Sequence, residues 1–240
     1  TYLLTYLLTV IHGPNILVHQ MERHHAAERH LYPEVIDALK KIKEENPGVI
    51  IGAVTDGKAS PLFMTFTLAP YFDFVCGWED DQGARQKFFV DLAKSDDSAQ
   101  LSWIYEAARY KYAELKDLTD LINKEMISEK GEIPPGQLSY PATYDDLVWI
   151  HVGDDLGYDV GGSARCGAKT ILADLAPKYG QTSRHRFDIG VEEQPAWATS
   201  SSNELARRRS LNEAAEALVD ERIKYLSDLP EAVNNILHKN

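Results

Sequence analysis

Cysteine is nearly absent from this chain. Only Cys76 and Cys166 occur in 240 residues, which leaves no disulfide framework and no zinc-like spacing. Both sit in apolar stretches and read as buried free thiols, which suits a reducing compartment such as a cytoplasm or an organelle stroma or matrix. Basic residues are also in deficit. With 25 Lys and Arg against 37 Asp and Glu, the formal charge is −12. That balance argues against a nucleic-acid surface and favours a soluble particle or small cationic cofactors such as Mg²⁺. No apolar run approaches the roughly 20 residues that span a bilayer. Internal repeats and low-complexity tracts are missing too, and no aspartate precedes Asp37. What remains is ordinary globular composition, 44% apolar and 26% charged, in a chain long enough for one sizeable core and a small accessory layer.

The stretch Leu147–Leu175, LVWIHVGDDLGYDVGGSARCGAKTILADL, organises the rest. Leu147–Val152 has the length and apolarity of a buried strand. Gly153-Asp154-Asp155 is a turn, a short small-residue helix follows, Gly167-Ala168 closes it, and Lys169–Ala173 is the next strand. Such a unit belongs to an open parallel sheet, in which ligands bind beyond the carboxyl ends of the strands. Asp154, Asp155 and Asp159 crowd the turn with no basic residue among them. Hard carboxylate oxygens in a self-repelling group suit Mg²⁺. Helix capping and a favourable contact with the helix dipole are the structural alternative.

Gly-Asp-Asp-x-x-x-Asp after an apolar strand, followed by a small-residue helix and Gly-Ala-Lys-Thr, resembles the acidic motif of the haloacid dehalogenase-like (HAD) hydrolase superfamily. The resemblance extends upstream. LYPEVIDALKKIKEENPGVIIGAVTDGK, followed by LAPYFDFVCGWEDD, has the helix–strand–Thr–helix–strand order of that family's core. Here Pro33–Lys43 is a helix, with Pro33 where its missing N–H costs little and Val35, Leu39 and Ile42 as the buried stripe. Val49–Val54 is a buried strand, Pro61–Leu68 a helix and Phe72–Cys76 a strand. The tail RIKYLSDLPEAVNNILHKN resembles the family's final strand and helix, so the C-terminus reads as complete.

The resemblance implies a Rossmann-like α/β core in residues 31–240, with a parallel sheet flanked by helices. It also implies Mg²⁺-dependent hydrolysis of a small phosphorylated substrate through an aspartyl-phosphate. Thr55 corresponds to the phosphate-binding hydroxyl, with Asp56 and Gly57 beside it. Lys87, in Gln86-Lys87-Phe88 where the family commonly has Lys-Pro, is the expected charge-balancing lysine, with Arg85 as its substitute. Asp154 is the expected metal ligand, and Asp155 and Asp159 complete or orient the metal shell. Residues 91–146 and 176–203 are expected insertions beside the core and possible contacts for a protein partner. The first holds a long helix, Trp103–Ile127, and a loop, Gly131–Tyr140. Arg207-Arg208-Arg209 reads as a solvated helix face. His24 and Glu28, at i,i+4, lack a third metal ligand nearby, and His12, His19, His25 and His30 carry no further signal.

The family's nucleophile lies in an Asp-x-Asp motif after the first strand, and this sequence offers none. Two readings follow. In one, residues 1–30 are the remains of a helical cap, because Leu3, Leu4, Leu7, Leu8 and Ile11 fall at three-and-four spacing. The nucleophile strand then lies upstream of Thr1, and the 240-residue chain alone is inactive. In the other, LLTVIHGPNIL is a degenerate first strand with His12 at the nucleophile position, and the protein is a non-catalytic HAD-fold subunit or binding module. The first reading predicts that residues 1–11 are helical and outside the sheet.

Overall fold

Six short strands form one sheet in the order β3-β2-β1-β4-β5-β6. They are β1 (Tyr2–Leu7), β2 (Ile50–Val54), β3 (Phe74–Cys76), β4 (Val148–Gly153), β5 (Lys169–Ala173) and β6 (Glu221–Ile223). Every pairing is parallel. The computed structural model describes residues 2–7, 31–55, 67–80, 103–123, 148–180 and 202–239.

The expectation of a helix over residues 1–11 is overturned for residues 2–7. Tyr2–Leu7 is a strand at the centre of the sheet, with Leu3 opposite Ile50 and Leu7 opposite Val54 on one side. On its other side Tyr2 faces Val148 and Tyr6 faces Val152. A central parallel strand is covered on both faces and needs no polar alternation, so a short apolar run fits it as well as it fits a helix. Pairing decides between them. Without β1, the inner edges of β2 and β4 would leave a row of backbone N–H and C=O groups without partners in the interior. Of the alternative first strand, LLTVIHGPNIL, the residues after Leu7 lie outside the described ones. Residues 8–30, including His12, His24 and Glu28, lie outside the described residues, as do most of the 91–146 segment and residues 181–201.

Helices cover both faces. On one, α1 (Pro33–Glu45) and the C-terminal helix α5 (Leu229–His238) bury Leu39, Ile42, Val233 and Ile236. These pack on alternate strand residues: Ile51 and Ala53, Ile150 and Val152, Ile171 and Ala173. That spacing of two is the period at which strand side chains share a face. On the other face α2 (Trp103–Asn123) lays Ile104, Tyr105, Ala108 and Tyr112 over Val54, Phe74, Cys76 and Trp149. The long helix expected in the 91–146 insertion is therefore a layer of the core itself. The same face continues through the short α3 (Gly161–Arg165) and α4 (Ser202–Glu216). There Ala215 packs with Leu156, Val160 and Leu172. Cys76 and Cys166 are both buried free thiols. No helix among the described residues is long and apolar enough to cross a membrane.

Candidate functional site

The strand order reverses direction between β1 and β4, because the chain builds outward from β1 to β3 and then returns to the other side. In open parallel sheets, ligands settle outside the carboxyl ends of the strands at such a point. Two expected site residues stand there. Thr55 follows β2 directly; it is buried, and its N–H donates to the Cys76 carbonyl at 2.9 Å. Asp154 follows β4 and is half-buried. The two therefore stand at the carboxyl ends of the strands flanking β1. Asp56, Gly57, Arg85 and Lys87 lie outside the described residues.

After Asp155 the chain makes a widened, π-type helical turn, Leu156–Val160, before α3. Both Asp159 N–H and Val160 N–H donate to the Asp155 carbonyl, at 2.8 and 3.1 Å. This turn directs Asp159 back beneath the Gly-Asp-Asp segment. Its Oδ2 accepts from the Asp155 N–H at 2.9 Å, and its Oδ1 accepts from the Tyr105 hydroxyl at 3.1 Å. Asp159 is 0% exposed. Its backbone carbonyl accepts from the Ser163 hydroxyl at 2.5 Å. A side chain at Gly153 would collide with the Asp159 carboxylate and its Cβ, so the motif's glycine is a steric requirement of this packing.

His151, on β4, lies in the same buried cluster. Its Nε2 is 3.9 Å from Asp159 Oδ1, and its ring meets that of Tyr105 edge-on at 4.7 Å. Burial pushes the imidazole down to about 3, so it is neutral at ordinary pH. The Asp159 carboxyl is held well above the usual carboxylate range, first by burial and then by the charges of Asp155 and Asp154. The Asp155 amide and the Tyr105 hydroxyl oppose that shift.

Asp155 is engaged differently. One oxygen accepts from the Tyr158 N–H at 2.8 Å, which caps the turn. The other pairs with the Arg208 guanidinium from α4. The three acids therefore do not converge: among the described residues no three His, Cys, Asp or Glu side chains form a group that could hold a metal ion. Through these contacts Asp155 and Asp159 orient the turn that carries Asp154, the second of the two roles expected of them. Asp159 lies under the turn and fixes its backbone, Asp155 pairs with Arg208, and Asp154 stands at the end of β4.

Three residues that build this site, His151, Tyr105 and Asn212, were not expected in it, and a fourth, Arg208, expected on a solvated helix face, is buried. His151 carried a legible signal, a titratable ring inside the run VWIHVG. Arg208 was hidden in a run of three arginines. Tyr105 and Asn212 gave no sequence signal, since their partners lie more than 50 positions away. No protein-family model matches this chain, and no curated protein matches it.

Proposed function

We propose that this chain is a HAD-like α/β domain that binds a phosphate-bearing small molecule without hydrolysing it through an aspartyl-phosphate. The observation that carries the reading is the central place of β1 between the strand ending in Thr55 and the strand ending in Asp154. The resemblance puts the nucleophile after the strand in that position. Here Leu7 is followed by Leu8, Thr9, Val10, Ile11 and His12, and the first aspartate is Asp37. The reading with a nucleophile strand upstream took residues 1–11 as a cap helix, whereas Tyr2–Leu7 is the strand between β2 and β4.

The chemistry agrees. An aspartyl-phosphate route needs a carboxylate in line with phosphorus and cations to offset the repulsion between them. A hydroxyl at a strand end holds phosphoryl oxygens without either. In this reading the Thr55 hydroxyl and the Asp56-Gly57 backbone receive the phosphate, and Lys87 supplies positive charge. The segments 91–146, apart from the core-packed α2, and 176–203 remain the proposed contacts for a protein partner.

The test is titration calorimetry with inorganic phosphate, joined to an assay with p-nitrophenyl phosphate and Mg²⁺. Phosphate is expected to bind, and Thr55→Ala to weaken binding roughly tenfold, the worth of one charge-assisted hydrogen bond. No p-nitrophenol is expected. Its release by wild type and loss in Thr55→Ala would overturn the non-hydrolytic reading, and absence of phosphate binding would overturn the ligand class.

A further inference from the structure

The acidic turn is held from outside by a helix whose role no sequence motif announced. Arg208 on α4 has a side chain only 5% exposed and pairs with Asp155. Its guanidinium also lies over the Tyr158 ring, with Cζ 3.7 Å from the ring centre. Four residues on, Asn212 Oδ1 accepts from the Gly157 N–H at 3.1 Å. Residues four apart share one face of a helix, so Arg208 and Asn212 grip the turn side by side. Ala215 extends the grip through Leu156 and Val160. A Cβ at Gly157 would press on Asn212 Oδ1 at 3.0 Å and on Leu211 Cβ at 3.3 Å, a sign of how closely helix and turn are packed.

We propose that Arg208 is the resident counter-cation of the acidic turn: its guanidinium takes the place that a divalent cation would otherwise fill at Asp155. The geometry makes the two mutually exclusive. A metal ion at Asp155 would face a buried guanidinium across the same carboxylate, and like charges a few ångströms apart repel strongly when screened from water. Moving Arg208 aside would strip a buried cation of its carboxylate and its aromatic face, which leaves an uncompensated charge away from water. A planar guanidinium suits this place better than an ammonium, because it bonds the carboxylate and stacks on Tyr158 at once. Arg208 thus acts through Asp155, as a positioning residue for the turn that carries Asp154. The inference rests on the turn and α4 and does not depend on which ligand the site takes.

The full chain is titrated with Mg²⁺ while side-chain carboxylate ¹³C resonances are followed by NMR, at constant ionic strength. The Asp155 carboxylate resonance is expected to stay in place at millimolar Mg²⁺. A saturable shift of that resonance in the wild-type protein would overturn the proposal without recourse to any variant. In a second arm, thermal unfolding of Arg208→Gln and Arg208→Lys is measured with and without 5 mM MgCl₂, about tenfold above a weak carboxylate site's dissociation constant. Arg208→Gln is expected to melt lower than wild type and to recover part of the loss with Mg²⁺. Arg208→Lys, which keeps the charge, is expected to show no Mg²⁺ response. A wild-type protein that gains as much from Mg²⁺ as Arg208→Gln does would refute the counter-cation role. Failure of phosphate binding at Thr55 would leave every one of these readings unchanged.

Discussion

Gly153→Ala should be among the most damaging single-methyl changes in the molecule. The added Cβ would fall inside the envelope of the Asp159 carboxylate and of its own Cβ. Asp159 has nowhere to go, since it is fully buried and tied to the Asp155 amide at 2.9 Å and the Tyr105 hydroxyl at 3.1 Å. Retreat would break one or both bonds, each worth about 1–3 kcal/mol when a buried group is left unsatisfied. The alternative is to shift β4, which is paired on both sides. The expected loss is about 2–4 kcal/mol, or roughly 5–15 °C in melting temperature for a chain of this size. Gly48→Ala is the control. Gly48 has φ +83° with open space around its Cβ position, so it carries backbone strain alone, about 1 kcal/mol. Urea unfolding followed by tryptophan fluorescence compares the two. Gly153→Ala costing no more than Gly48→Ala would show that Asp159 is not packed under the turn as described.

Three further outcomes follow from the same cluster. The His151 imidazole is neutral in the fold and pushed down to about 3. As pH falls from about 6.5, the unfolded chain takes a proton that the fold refuses, so stability is lost down to about pH 3 at roughly 1.4 kcal/mol per unit. His151→Gln should flatten the acid limb of a pH–stability curve, and an unchanged limb would contradict a buried neutral ring. Asp159 acts in the opposite sense, because its raised value means that the fold keeps a proton which the unfolded chain releases above about pH 4. Asp159→Asn should therefore gain stability relative to wild type as pH rises from 4 to 8, measured by urea midpoints. Ser163→Ala, which leaves the buried Asp159 carbonyl without its hydroxyl donor, should cost about 1 kcal/mol by the same assay.

How much could be read in advance depended on whether a residue's partners were near it in sequence. Lys169–Ala173 was legible to the residue, because a glycine turn and an apolar run with a β-branched pair are local signals. The α1 helix was legible from Pro33 and its apolar stripe, and it runs two residues past the expected end. Thr55 and Asp154 were legible as strand-end residues. Residues 1–11 were misread because their three-and-four spacing fits a helix, while the deciding fact, two strand edges awaiting a partner, lies about 45 and 145 positions away. What holds Asp155 and Asp159 in place was illegible for the same reason. Three acids in a row look like a metal shell until Arg208 and Tyr105 arrive from 53 and 54 residues away. A lone arginine among three gives no sign of being the buried one.

The central claim is that Tyr2–Leu7 is the middle strand of the sheet, because the absence of a carboxylate nucleophile after that strand follows from it. Native-state hydrogen exchange, read by NMR amide by amide, tests the claim directly. The amides of the first strand that are paired into both neighbours should exchange as slowly as those of Val148–Gly153, by global unfolding alone. They should also speed up together with β4 as urea is added. Exchange of residues 2–7 at the rate of an open segment, while β2 and β4 stay protected, would remove β1 from the centre. It would also remove the observation on which the proposed non-hydrolytic reading rests.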